Sequence, residues 1–418
     1  MSEAFRPIGE AGKTATDQCG DAGEIALAVQ IVQDIGTVDA ADWDACAAPE
    51  CADGGPPLNP FVTHAFLHAL EVSGSATRRA GWSPHHLIMR HADAPDGPLL
   101  GAMPLYLKTH SQGEFVFDHS WAHAYERAGG DYYPKLQAAV PFTPATGPRV
   151  LVNPVVGLPR ATLQSGLMDA ARQITADNRL SSLHITFCTE EEWRLGPSTG
   201  FLQRTDQQFH WENHGYESFG AFLDALASRK RKTLRKEREK AVERGIEMHW
   251  LTGNAITAEH WDAFWVFYQD TGGRKWGRPY LTRQCFDILG KTMADRLLLV
   301  MARRDDRWIA GALNVIGRET LFGRYWGCVE DHPFLHFETC YYQAIDFAIA
   351  HGLKRVEAGA QGGHKLARGY APVTTRSLHF LPDPGFATSV EQYLEHERRA
   401  VDRENAALAE MMPFKRSC

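Results

Sequence analysis

One glycine-rich stretch late in the chain gathers side chains that can move protons and hold anions: Gly359-Ala360-Gln361-Gly362-Gly363-His364-Lys365-Leu366-Ala367-Arg368-Gly369-Tyr370. Proton transfer needs a positioned base or water relay, and a developing oxyanion needs hydrogen-bond donors. Gly362 and Gly363 would let the backbone approach a ligand closely. Lys365 suits an oxyanion or a phosphate, and reads equally as a surface lysine in a turn. His364, Arg324 and Arg368 suit an acceptor carboxylate or phosphate, with Trp326 and Gln361 beside them in the substrate-binding set. Upstream, His336 and Glu338 begin a helix, and either is a candidate base. Side chains two apart do not share a helix face, so the two need not act together. Glu338 near a helix start is also favoured by the helix dipole alone.

Two further groups carry charge or hydrogen-bonding capacity. Residues 229–244 read RKRKTLRKEREKAVER, with nine basic and three acidic residues, so this segment is +6 while the rest of the chain is −13. One reading is a solvated helix laced by pairs such as Glu239 with Arg235 or Lys236. The other is an anion site for a phosphate-bearing substrate, centred on Arg229, Lys230, Arg231, Lys232 and Arg235. In the first half, Asp118, His119, Trp121, His123 and Tyr125 form a polar-aromatic cluster, read as lining an acceptor cleft or as structural. The spacings His119-x3-His123 and His332-x3-His336 do not match H-E-x-x-H, and no metal is expected.

These residues need elements to position them. Hydrophobic patterning predicts strands at 296–302, 308–316 and 320–326, a helix at 336–351 closed by Gly352, a strand at 354–358 and a last strand at 376–381. The first half offers a similar order. Leu99–Leu107 resembles Ile309–Gly317 at an offset of 210 residues, counted between Gly101 and Gly311. An aromatic strand at Glu114–Asp118, a helix at 161–178 and a strand at 183–187 follow. The halves then differ by an insertion at about 122–160, rich in Pro, Gly and aromatics. Further helices are predicted from Pro60 with Asn59 as cap, at 216–227, at 257–270, and over the basic run up to Gly245. The fold class is α/β (α+β), with tandem duplicated lobes of mixed, mostly antiparallel sheets flanked by helices. The expected division is a flexible leader at 1–25, an N-terminal lobe at 26–212, a C-terminal lobe at 213–385 and a helical tail at 386–418.

The order of elements in the second half is that of the GNAT fold, so both lobes are expected to be GNAT-like. The spellings carry a closer resemblance. Arg324-Tyr325-Trp326-Gly327, His336-Phe337-Glu338-Thr339-Cys340-Tyr341-Tyr342-Gln343 and Glu357–Pro372 resemble a bacterial FemAB-like family of N-acyltransferases, akin to the Fem-type aminoacyl and peptidyl transferases of peptidoglycan assembly. The likeness extends to Lys232–Glu237, Lys275–Thr282 and Pro141–Gly147, and so covers most of 40–385. It implies an N-acyltransferase passing an acyl or aminoacyl group to a small-molecule or peptide amine, with its site between the lobes. In Fem-type enzymes a lysine in the loop after the late strand belongs to the active site, and by resemblance Lys365 is that residue. The donor implied is acyl-CoA or aminoacyl-tRNA. The loop Gly327–Leu335, which would cradle a CoA pyrophosphate, holds one glycine and two acids and is a poor cradle. The basic run suits a tRNA donor. A ligand-binding protein that keeps the fold without catalysis is the alternative.

Bulk properties narrow the class. The chain has 418 residues and a net charge of −7, which argues against wholesale nucleic-acid or membrane binding but not against a local basic patch. The eight cysteines lack C-x-x-C spacing and several sit in apolar runs, as in a reducing, cytoplasmic compartment. No secretory signal and no membrane span are expected.

Overall fold

A computed structural model describes residues 13–15 and 25–415, except 277, 278, 360 and 361. The chain divides into two compact units. The first takes Met1–Ala52, Phe61–Asp206 and Thr375–Arg399; the second takes Asp53–Pro60, Gln207–Thr374 and Ala400–Cys418. Most of the leader at 1–25 lies outside the described residues.

The first unit contains β1 (Lys13–Ala15), β2 (Ile25–Val32), α1 (Ala40–Ala47), α2 (His64–Val72), β3 (Trp82–Pro84), β4 (His86–His91), β5 (Gly101–Met103), β6 (Leu105–Lys108), α3 (His119–Arg127), β7 (Lys135–Ala138), β8 (Leu151–Val152), α4 (Arg160–Asp177), β9 (Leu183–Ile185) and α5 (Glu190–Leu195). One sheet runs β1-β2-β4-β5-β8. Another joins β3, β6, β7 and β9, with β7 and β9 parallel and Leu136 opposite Leu183. Side chains alternate across a strand. Leu105, Leu136, Ala138, Leu183 and Ile185 therefore turn to one face, where Leu163, Leu167, Met168 and Ile174 of α4 cover them.

The second unit contains most of β10 (Leu202–Glu212), then α6 (Phe219–Ala225), α7 (Ser228–Val242), β11 (Glu247–Thr252), α8 (Ala258–Trp276), α9 (Arg283–Thr292), β12 (Leu297–Arg304), β13 (Arg307–Ile316), β14 (Thr320–Cys328), α10 (Leu335–Phe337), α11 (Gln343–Ala350) and β15 (Arg355–Glu357). β16 (Ala371–Phe380) starts in this unit and ends in the first; α12 (Pro384–Glu410) runs the other way. The strands order β11-β12-β13-β14-β15-β10, antiparallel except for β14 with β15. β12 reads Leu-Leu-Leu-Val-Met-Ala because both its faces are covered. Leu298 and Val300 pack with Ile345 and Phe347 of α11. On the other side α8 lies so close that a methyl group at Gly327 would sit 2.0 Å from the carbonyl oxygen of Phe267. Gly327→Ala is thus expected to cost about 1–3 kcal/mol, as overpacking does. A thermal melt identical to that of the parent would show that β14 and α8 can part without cost.

Each unit thus holds successive antiparallel strands, a crossing helix and a strand parallel to the one before that helix: β4, β5 and β6, β7, α4, β9 in one and β12, β13, β14, α10–α11, β15 in the other. Several sequence expectations need correction. No strand forms at Glu114–Asp118; β7 fills that place. Both acids are buried as ion-pair partners of a lysine, which strand alternation did not anticipate. The insertion is not one loop at 122–160. Extra chain enters at 109–134, where the second unit needs only 317–319, and again at 139–159, and this region supplies α3, β7 and β8. The helix expected from Pro60 begins at His64, because Asp44 Oδ1 accepts the His64 N–H at 2.8 Å and so supplies the cap from α1. The single helix expected at 336–351 is broken into α10, one π turn (Glu338–Tyr342) and α11.

Candidate functional site

The chemistry-bearing residues of the second unit meet where β14 and β15 part. Their parallel pairing runs Thr320↔Arg355, Leu321↔Val356 and Phe322↔Glu357. β14 continues to Cys328, and among the described residues β15 follows it no further. Backbone groups of this stretch on the β15 side therefore face the opening. The β13–β14 register also shifts here: Leu313 faces Tyr325 while Asn314 faces Gly323, which leaves Arg324 as the extra residue of a bulge. Bulges of this kind re-aim side chains and often border active sites.

Rings line the opening. Trp326 lies 4.9 Å from His336, centroid to centroid. His336 is 5.4 Å from Tyr341 and 6.3 Å from His364. Phe337 is 5.7 Å from His364. Tyr341 Oη and His364 Nε2 share a hydrogen bond of 2.9 Å. The π turn makes this grouping possible: one extra residue per turn lets His336, Phe337 and Tyr341 crowd one side, and such turns recur at functional sites. Gly362, at φ 124°, is equally specific. A methyl there would lie 2.6 Å from the His364 ring, so only glycine lets the imidazole fold back over the loop.

Lys365 is 1 % exposed, and its ammonium donates to the Gly359 carbonyl at 2.8 Å. Burial pulls its pKa down to about 8. A lysine so tuned has a sizeable neutral fraction near pH 7.5. Arg368 lies 3.4 Å over the Phe337 ring and donates to the His364 carbonyl and to Glu237 Oε2, each at 2.7 Å. It thus clamps the turn Gly363–Arg368 onto α7. The structure brings His336, His364, Trp326 and Arg368 together, with Gly362 and Gly363 in the same turn, while the Lys365 ammonium in that turn is directed to Gly359. Gln361 lies outside the described residues, as do Gly277 and Arg278 of the Lys275–Thr282 motif.

Glu338 does not join the group. It is 2 % exposed and gripped by Arg238, whose Nη2 lies 2.7 Å from Oε1 and whose Nε lies 3.0 Å from Oε2. Gln343 donates to it as well, at 2.7 Å. Arg238 also reaches Asp346 at 2.7 Å. The basic helix therefore has two sides. Leu234, Glu237, Arg238 and Ala241 turn inward, and Tyr342 donates to Glu237. Arg229, Lys230, Lys232, Arg235 and Lys236 are exposed, while Arg231 pairs with Asp224 at 3.0 Å. Sequence reading assigned no role to Glu237, Arg238, Phe337 or Tyr341. The available signal was the spacing 234, 237, 238, 241, which places an acid and an arginine on the same helix face as a leucine and an alanine.

In the first unit the cluster at 118–125 separates. Asp118 and Trp121 are buried, His119 and His123 are exposed on α3, and Tyr125 is half-buried against Phe386. Asp118 accepts from Lys135 and from Tyr132, the latter at 2.7 Å. Lys135 donates also to Glu114 and Ser111, at 2.7 and 2.8 Å. Among the described residues no group of three or more His, Cys, Asp and Glu could hold a metal. No helix there is long and apolar enough to cross a membrane. Cys46, Cys188 and Cys285 are buried.

The fold is shared with FemX: a crystal structure of that protein aligns over 85 % of this chain and 98 % of its own, with TM-score 0.51 and 11 % identity. The chain belongs to the FemAB-like family, described as peptidoglycan biosynthesis/recognition, whose model matches residues 34–416. Also similar is a tandem GNAT protein from the clavulanic acid biosynthesis pathway, solved without AcCoA (TM-score 0.47, 12 % identity, 86 % and 99 % covered). L-PGS from Bacillus licheniformis is a further match (0.47, 11 %, 78 % and 95 %). No curated protein matches the chain.

Proposed function

We propose that this protein is an aminoacyl or acyl transferase that acylates the amine of a peptide or small molecule in peptidoglycan metabolism, with the chemistry at His336, Tyr341, His364 and Lys365. The observation that carries the reading is the Lys365–His364–Tyr341 arrangement beside the parted strands: a buried lysine brought to about 8, next to an imidazole hydrogen-bonded to a phenol. In this scheme the attacking amine loses its proton to His364, directly or through Tyr341. The oxyanion of the tetrahedral intermediate is met by backbone N–H groups of β14 and by Lys365. The carrier leaves with the returned proton, so one acyl bond is exchanged for another and no oxidant or metal is required.

An aminoacyl-tRNA donor is favoured over acyl-CoA by two features. The loop leading to α10 has a single glycine, and Glu330 within it is held by Arg304 and His332 at 3.0 and 2.9 Å, so it offers no glycine-rich cradle for a pyrophosphate. The exposed cations of α7 lie on a helix tied directly to the π turn and to Arg368, and they suit a phosphate backbone. The reading places the protein in the cytoplasm, where that donor is found.

The test is transfer from aminoacyl-tRNA and from acetyl-CoA to a peptide amine. His364→Ala and Lys365→Ala are each expected to lower kcat by about 10²–10⁴-fold, the range for positioned acid–base groups. Charge reversal at Arg229, Lys232 and Arg235 should weaken donor binding and flatten its salt dependence. Unchanged turnover in both alanine variants would remove the site assignment. Donor binding without turnover in the parent would mark a binding protein instead.

A further inference from the structure

The sheet of the first unit has a second face unlike the first. Opposite the leucines covered by α4, the alternate positions Lys108, Lys135, Gln137, Ser182, His184, Thr186, Ser377 and His379 are polar and buried. His184 of β9 stands opposite His379 of β16 in register. Their Nδ1 atoms are 2.6 Å apart. Two ring nitrogens at that distance share one proton; two N–H groups there would clash.

The partners define how the proton sits. Ser182 Oγ lies 2.9 Å from His184 Nε2. Tyr132 Oη, 3.3 Å from the same nitrogen, already gives its proton to Asp118. Asp118 Oδ2 lies 3.6 Å from that nitrogen as well, so neutral His184 carries its hydrogen on Nε2, and the proton between the rings is donated by His379 Nδ1 to His184 Nδ1. His379 Nε2 is then bare, a buried atom with no hydrogen-bond partner among the described residues. Trp121 of α3 packs edge-on against the His379 ring at 4.9 Å.

We propose that the His184–His379 contact is a proton-sensitive register lock on strand β16. It holds while the pair is neutral and opens when the pair takes up protons. The surroundings oppose uptake. Lys135 on β7 and Arg204 on β10 are cationic neighbours. Of the facing carboxylates on the 109–134 segment, Asp118 lies 3.6 Å from His184 Nε2 and favours uptake, but Lys135 binds both it and Glu114, and Lys108 lies 3.8 Å from Glu114. Arg204 is itself paired with Glu397 of α12 at 2.8 Å.

Burial, with Lys135 next, takes the His184 pKa down to about 3, and burial likewise lowers that of His379. Both lie below the unfolded value near 6.5. The lock is therefore complete above pH 6.5 and weakens as pH falls toward 3. Glu114 works the other way. Burial raises it to about 7, so between 7 and 4.5 it takes up a proton in the closed state and offsets one histidine. Opening then binds about one net proton, which corresponds to a tenfold change per pH unit. β16 is the strand into which the turn Gly363–Arg368 leads, so slippage of β16 would be felt at Lys365 without any change in the site residues.

Amide exchange over residues 375–380 of the full chain, corrected for intrinsic rates, tests this. Protection is expected to fall about tenfold per pH unit below pH 6.5. In His379→Gln one histidine and Glu114 remain and cancel, so the slope should vanish while β16 stays protected at pH 7.5. Flat protection in the parent from pH 7.5 to 5, or an unchanged slope in the variant, would overturn the proposal. Nitrogen chemical shifts of the parent give a second arm that needs no variant. One protonated and one bare Nδ1 are expected; two bare Nδ1 atoms would refute the shared proton.

Discussion

Lys135→Met is expected to destabilise the first unit by about 3–5 kcal/mol, the usual consequence of breaking a fully buried charge network from one side. The substitution keeps the length of the side chain and removes its charge. Glu114 and Asp118 would then face each other across a buried space whose cation is gone. Lys108 cannot replace it. Its ammonium lies 3.8 Å from Glu114 and stacks 3.6 Å over Trp82, and burial brings its pKa to about 7. The expected fall in the melting transition is about 6–20 °C, at roughly 2–4 °C per kcal/mol for a unit of this size. The deficit also has a sign with pH. Without Lys135 both carboxyls have folded-state pKa values raised above their unfolded ones, so the variant recovers stability as pH falls. Calorimetry at pH 8 and pH 5.5 should show the larger gap from the parent at pH 8. A gap that is equal at both, or larger at pH 5.5, would mean that Lys135 serves packing rather than charge.

The second large effect is expected at Arg238→Met. This arginine holds Glu338 through two nitrogens, reaches Asp346 and lies 4.2 Å over the Phe219 ring. Its removal leaves Glu338 buried with only Gln343 as a side-chain donor among the described residues. The expected loss is about 3 kcal/mol, partly screened because the guanidinium is itself accessible to water. Arg238→Lys should recover only part of it, since an ammonium cannot span both carboxylates in the fork geometry. Protection from exchange would be lost first in α7 and the π turn. If Arg238→Lys matched the parent, the bidentate grip would be irrelevant.

Both networks were hard to see in the residue string, and for one reason. Buried charges look like surface charges until their partners are known, and the acidic partners of Lys135 and Arg238 lie 17 to 108 residues away. Arg238 lies inside a sixteen-residue segment with nine basic residues that reads as a solvated helix. Glu114 and Asp118 were drawn into a strand that does not exist. Local pattern did better where burial was regular. The hairpin of β12 and β13, the strand β14, the helix α4 and the cap at Gly352 follow directly from apolar spacing and glycine placement. Within the site, the His364-Lys365 pair was legible because glycines flank it. Tyr341 was not, because a tyrosine at helical spacing normally reads as core. Its pairing with His364 depends on a π turn, which propensity does not foretell.

That turn has an implication for how the family's sequences can vary. An α-helix advances 100° per residue, so the extra residue in Glu338–Tyr342 sets the angular phase of α10 against α11. The site is encoded here by a count rather than by an identity. A homologue could preserve every ring and lose the arrangement through one missing residue, and a substitution scan would never expose the dependence. In this segment, gaps are more informative than mismatches.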